Sequence, residues 1–102
     1  MTIWFVSRHP GAIEWVKRRS LAIDRFVSHL DLTAVRPGDL IFGNLPVELA
    51  AEVCRLGARF FALCLSVSAE QRGLDLTADD LEALQADFQE YQVSKVEGQN
   101  GL

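Results

Sequence analysis

The sequence predicts an α/β layered domain built on a small, mostly parallel sheet of about four strands flanked by helices. Three observations carry this. Short runs rich in β-branched and aromatic residues recur along the chain, amphipathic stretches stand between them, and two junctions place a proline where an apolar run gives way to a helical pattern.

Taken in order, TIWFV (2–6) reads as a buried strand. Residues 10–20 follow as a helix, with Ile13, Trp15 and Val16 on its apolar side and Lys17, Arg18 and Arg19 in the last turns, where cations suit the helix dipole. DRFVSHL (24–30) is a second strand. VRPGD (35–39) is turn chemistry, and LIFGN (40–44) is a third strand. The link between the second and third strands shows no helical pattern, so either a parallel crossover or an antiparallel pair satisfies the sequence. Residues 46–56 read as a helix, with Leu45, Leu49, Val53 and Leu56 on one side and Gly57 as its stop. RFFALCLSV (59–67) is the most continuous apolar run and is expected at the sheet centre. Residues 77–92 read as one helix capped by Thr77, with Leu81, Leu84, Phe88 and Tyr91 at helical spacing. The tail from about residue 93 is expected to fray.

The bounds agree with one domain. A chain of 102 residues that is 49% hydrophobic and 24% charged buries a core of its own. The longest uncharged apolar stretch, near 60–69, is about half the ~20 residues a membrane-spanning helix needs. Arg8 and His9 interrupt the apolar start too early for a signal peptide, which points to a cytoplasmic protein. Cys54 and Cys64 lie on apolar segments without a histidine at metal-ligand spacing, so two buried free thiols are expected, with no metal or cofactor. The net charge of −4 argues against a duplex nucleic-acid binder. Residues 1–60 nevertheless hold eight basic against six acidic side chains, and residues 61–102 two against eight. A local anion site in the first part is compatible with that split.

WFVSRHPGAIEWV and LIFGNLPVELAAEV share one grammar: strand, polar turn, proline, helix. Proline at a first helical position loses no amide the helix could use, so Pro10 and Pro46 date two helix starts. If both strands are parallel, both turns lie at the carboxyl edge of the sheet, where open α/β folds bind ligands. The amides of Gly11 and Ala12, and of Val47 and Glu48, then point from positive helix ends. Ser7 offers a hydroxyl, Arg8 a forked cation for phosphate and His9 a ring that exchanges protons near neutral pH. Ser7, Arg8 and His9 are therefore the expected catalytic residues. Pro10, Gly11, Ala12, Gly43, Asn44, Leu45 and His29 are expected to line the ligand.

Each residue also has a plainer role open to it. Ser7 or His9 could cap the first helix, Arg8 could pair with Glu14 or Asp31, His29 could be tethered and Asn44 a turn residue. Trp4 and Trp15 belong in the core, Lys17–Arg19 on a solvated face, and Arg72 and Gly73 in a turn.

VSRHPG resembles the Arg-His-Gly signature of histidine phosphatases, but Pro10 stands where that family has glycine and the chain is short of its usual size. A broader likeness runs over nearly the whole chain. TIWFVSRHPGAIEW, VRPGDLIFGNLPVELAAEVCRLGARFFALCL and AEQRGLDLTADDLEAL together resemble a small single-domain CRISPR-associated family found beside type III systems and grouped with proposed ring nucleases. The resemblance implies a Rossmann-like three-layer domain acting as a homodimer on cyclic oligoadenylate, cyclic tetra-adenylate above all, to switch off the antiviral signal. A non-catalytic binder of the same ligand is the alternative it leaves open, and a structural interaction protein the plainest one.

Overall fold

A computed structural model describes residues 1–65 and 76–96. Arg72 and Gly73, and the last residues of the expected fourth strand, lie outside that set.

The elements run β1 (Ile3–Val6), α1 (Pro10–Arg18), β2 (Arg25–Val27), a 3₁₀ turn (Leu32–Ala34), β3 (Leu40–Gly43), α2 (Val47–Arg55), β4 (Arg59–Cys64), α3 (Ala78–Ala83) and β5 (Asp87–Tyr91). They form one five-stranded sheet in the order β2-β1-β3-β4-β5. The first four strands are parallel and β5 is antiparallel to β4. The link that sequence left open is thus a crossover through the 3₁₀ turn, which carries the chain from the edge strand β2 past β1 to β3. The middle of the sheet belongs to β3, with β4 one place nearer the edge.

Both faces of the sheet are covered, which is why its inner strands read as unbroken apolar runs rather than alternating ones. Trp4, Val6, Ile41 and Phe60 point to one face, where Ala50 and Val53 of α2 close over them. Phe5 points to the other, against Ala12, Trp15 and Val16 of α1 and Ala78 and Leu81 of α3. Trp15 and Val16 are fully buried, at a spacing from Ala12 that puts all three on one side of the helix.

The amino edge is tied by a buried carboxylate. Asp39, 1% exposed, accepts from the amides of Thr2 (2.9 Å) and Arg36 (2.9 Å) and from the Trp4 indole (3.2 Å). Burial pushes this carboxyl up, but the three donors outweigh it and hold the group below the usual carboxylate range.

The expected helix over 77–92 is two elements. Thr77 does cap it: its hydroxyl accepts from the Asp80 amide (3.1 Å), and the Asp80 carboxylate accepts from the Thr77 amide (3.0 Å). The helix then stops at Ala83. Gln85 takes a left-handed φ of 57°, and the chain turns back as β5. Phe88 packs among Phe5, Phe42 and Trp15, with ring centroids 4.8 to 6.2 Å apart, so burial against the sheet wins over helical spacing. Arg59 clasps Glu90 across the strand pair with two contacts of 2.8 Å.

Smaller differences follow the same logic. The second strand keeps three residues of the seven expected: Asp24 forms a bend before it, and Ser28 to Leu30 turn away at the sheet edge. Pro46 is the N-cap of α2 rather than its first helical residue. Of the two thiols, Cys54 is half-buried and Cys64 exposed at the end of β4. No described helix is long and apolar enough to cross a membrane.

Candidate functional site

The strand order creates the site. From β1 the chain crosses to β2 on one side, whereas β3 flanks β1 on the other, so the loops leaving β1 and β3 diverge at their carboxyl ends. Between them opens a cleft of about 360 Å³. Its floor is apolar, made by Phe5, Val6 and Ala12, with Leu30, Leu45, Leu49 and Leu63 around it. Its rim is polar: Ser7, Arg8 and His9 after β1, Ser28 and His29 after β2, and Asn44 after β3.

Local rules place each rim residue. The Ser7 amide donates to the Val27 carbonyl (2.9 Å), carrying the β1–β2 pairing one residue past Val6. The Ser7 hydroxyl accepts from the His9 amide (3.1 Å), folding residues 7–9 into a tight turn. His9 is extended (φ −93°, ψ 116°), as a residue before proline prefers, and is the N-cap of α1 through its backbone. Its carbonyl accepts from the amides of Ala12 (3.1 Å) and Ile13 (3.2 Å). The Ala12 amide is therefore already used within the first turn and is not offered to a ligand.

Gly43 lets the two loops approach. Its φ is +130°, and a Cβ there would run into the Val6 carbonyl oxygen. The carboxyl end of β3 lies hard against β1, with Val6 and Gly43 in register. The starts of α1 and α2 consequently face one cleft, each bringing the partial positive charge of a helix N-terminus.

No Asp or Glu is among the described residues that line the cleft, while Arg8, His9 and His29 all do. Neither partner expected for Arg8 takes it. Glu14 pairs with Arg18 (3.1 Å), and Asp31 accepts from the Thr33 hydroxyl (2.6 Å) and amide (3.0 Å). The Thr33 hydroxyl, followed by its amide, holds the Asp31 carboxyl below the usual range. Among the described residues no carboxylate forms an ion pair with Arg8.

The cleft thus gathers Ser7, Arg8, His9, Ala12, His29, Gly43, Asn44 and Leu45 from the residues expected by sequence. Pro10 and Gly11 lie around the corner, in an adjoining hollow of about 600 Å³ that Arg8 and His9 also line. Gly11 abuts the Leu76 carbonyl, so the space its missing side chain leaves is filled by backbone and not by ligand. Sequence reasoning did not assign Phe5, Val6, Ser28, Leu30, Pro46, Leu49 or Leu63 to the cleft. Ser28 adjoins His29 and could have been found with it, whereas Leu63 reaches the cleft only because β4 sits beside β3. Such an arrangement can bind an anion, hold an apolar or aromatic ring on its floor and exchange protons through two imidazoles.

The family model described as "Putative CRISPR-associated protein (Cas_VVA1548)" matches residues 4–94. That span holds the whole cleft. Comparison with curated proteins and with solved structures gives no match.

Proposed function

The chain belongs to the Cas_VVA1548 family of CRISPR-associated proteins, and from that premise we propose that it is a ring nuclease which opens cyclic oligoadenylate, cyclic tetra-adenylate in particular. The observation that carries the reading is the cleft at the switch point of the sheet, where Arg8, two histidines and the starts of two helices meet with no carboxylate among the described lining residues. The parallel order of the first four strands, with helices on both faces, supports a Rossmann-like ancestry for it.

Each linkage of a cyclic oligoadenylate carries its own nucleophile, the ribose 2'-hydroxyl. The protein has to align it with the phosphorus, stabilise the added negative charge and move protons. Arg8 and the helix ends serve the second need, and His9 the third. The apolar floor suits an adenine, while Ser7 and Asn44 suit phosphate or ribose oxygens. Opening the ring would give linear adenylates ending in a 2',3'-cyclic phosphate and extinguish the antiviral signal of a type III system.

A cleft of about 360 Å³ is at the small end of sites for one drug-sized ligand, and a four-nucleotide ring exceeds it. A homodimer with two-fold symmetry would present two such clefts to one ring.

The test is incubation of the purified protein with cyclic tetra-adenylate in EDTA, with products resolved by liquid chromatography and mass spectrometry. Linear products from wild type and none from His9→Ala support the reading. Tight binding with an intact ring supports a sensor or sponge instead, and no binding at all sinks both.

A further inference from the structure

Transfer of the phosphoryl bond from the 5'-oxygen to the 2'-oxygen moves two protons. One leaves the attacking hydroxyl and one reaches the leaving oxygen. In-line geometry sets these oxygens on opposite sides of the phosphorus, so one imidazole beside one of them is poorly placed to serve the other. Among the described lining residues, the side chains that exchange protons near neutral pH are His9 and His29. They leave neighbouring parallel strands. Val6 and Val27 are in register, and the Ser7 amide to Val27 carbonyl bond (2.9 Å) holds the two segments together beyond the strands. His29 follows two residues after Val27, and His9 three after Val6. Both are exposed at the rim of one cleft.

We propose that His29 is the second proton-transfer residue of this site, dividing general acid and general base between itself and His9; this rests on the nuclease reading above. The neutral imidazole takes the 2'-hydroxyl proton as the 2'-oxygen to phosphorus bond forms. The imidazolium gives its proton to the 5'-oxygen as the phosphorus to 5'-oxygen bond breaks. The products are a 2',3'-cyclic phosphate and a 5'-hydroxyl, no co-reactant is consumed, and exchange with water resets both rings. The loop after β1 brings the permanent cation Arg8, the loop into α2 brings uncharged Asn44, the adjoining hollow that His9 lines holds Glu14, paired with Arg18, and Asp31, two residues beyond His29, is turned to Thr33.

The experiment measures kcat and KM of wild type, His9→Ala, His29→Ala and His29→Gln on cyclic tetra-adenylate, with unfolding midpoints as a check on folding. It then repeats the assay on an analogue with sulfur as the bridging 5'-atom, a leaving group that needs no proton. His29→Ala and His29→Gln should each lower kcat about 10²- to 10⁴-fold with KM changed little, the range that general acid or base catalysis supplies. The sulfur analogue should restore one alanine variant, whichever has lost the acid, and leave the other impaired. Wild-type kcat in His29→Ala, a change in KM alone, or rescue of neither variant overturns the pairing. A wild-type protein that leaves the ring intact overturns the nuclease reading and takes the pairing with it. An active wild type with an unimpaired His29→Ala overturns the pairing alone.

Discussion

The carbonyl oxygen of Val6 occupies the place where a side chain on Gly43 would begin. Gly43 also has a φ of +130°, outside what other residues adopt readily. The approach of β3 to β1 at the mouth of the cleft therefore depends on the absence of one methyl group. Gly43→Ala should cost about 1–3 kcal/mol from the strained φ alone, and more from the clash. Chemical denaturation measures the loss. Cleavage of cyclic tetra-adenylate should fall further than the folded fraction does, because the two loops that carry the rim are forced apart.

At the opposite edge of the sheet, Asp39 makes stability depend on pH. Its carboxyl sits below the usual range because the amides of Arg36 and Thr2 and the Trp4 indole outweigh the upward push of burial. A folded value below the unfolded one, about 3.9, means the unfolded chain binds more protons in the interval between them. The contribution is present above the unfolded value and is lost as pH falls through the folded one. Asp39→Asn should be less stable than wild type at pH 7 and should close part of that gap in acid. Asp39→Ala, which strands three donors in a site 1% exposed, should cost about 3 kcal/mol at pH 7. Unfolding titrations at both pH values decide it.

Arg8 separates function from stability. It is exposed, and among the described residues no carboxylate pairs with it, so Arg8→Ala should unfold within about 0.5 kcal/mol of wild type. If it stabilises developing charge on phosphorus as proposed, its removal should cost about 10²–10³ in kcat. Arg8→Lys keeps the charge without the fork and should recover only part of the loss. Equal activity of all three proteins would remove Arg8 from the site.

The parts of the fold that sequence disclosed are those in which a local signal and the tertiary outcome agree. Pro10 and Pro46 marked helix starts, and the residues around them marked the cleft, because restrictions on proline and its predecessor act within a few bonds. Gly57 marked the end of α2: its amide bonds to Cys54 (3.0 Å), that of Ala58 bonds to Val53 (3.2 Å), and its φ of +88° closes the motif. The end of α3 is the same motif with glutamine in glycine's place. The Gln85 amide bonds to Glu82 (3.1 Å) and that of Ala86 to Leu81 (3.0 Å). Nothing in the sequence announces it. Leu81, Leu84, Phe88 and Tyr91 continue a helical period past the break, and only pairing with β4 and burial of Phe88 decide otherwise. The crossover from β2 to β3 was equally hidden, since it is short and nearly without helix.

That hidden helix end supplies a test whose sign separates the two structures. If residues 77–92 were one helix, Gln85→Gly would place glycine in its interior and destabilise the protein by about 1 kcal/mol. In the observed fold Gln85 has a φ of 57°, a left-handed conformation that costs a non-glycine residue about 1–2 kcal/mol. Glycine adopts it without that strain and gives back part of the gain through the greater freedom of the unfolded chain. Gln85→Gly should therefore stabilise the protein by about 0.5–1 kcal/mol, read as a higher urea midpoint with an unchanged slope. The side chain is exposed, so its loss removes no core packing and the backbone effect stands alone. A lower midpoint would mean that the chain does not turn at Gln85, and with that turn would go β5 and the burial of Phe88 against Phe5 and Phe42.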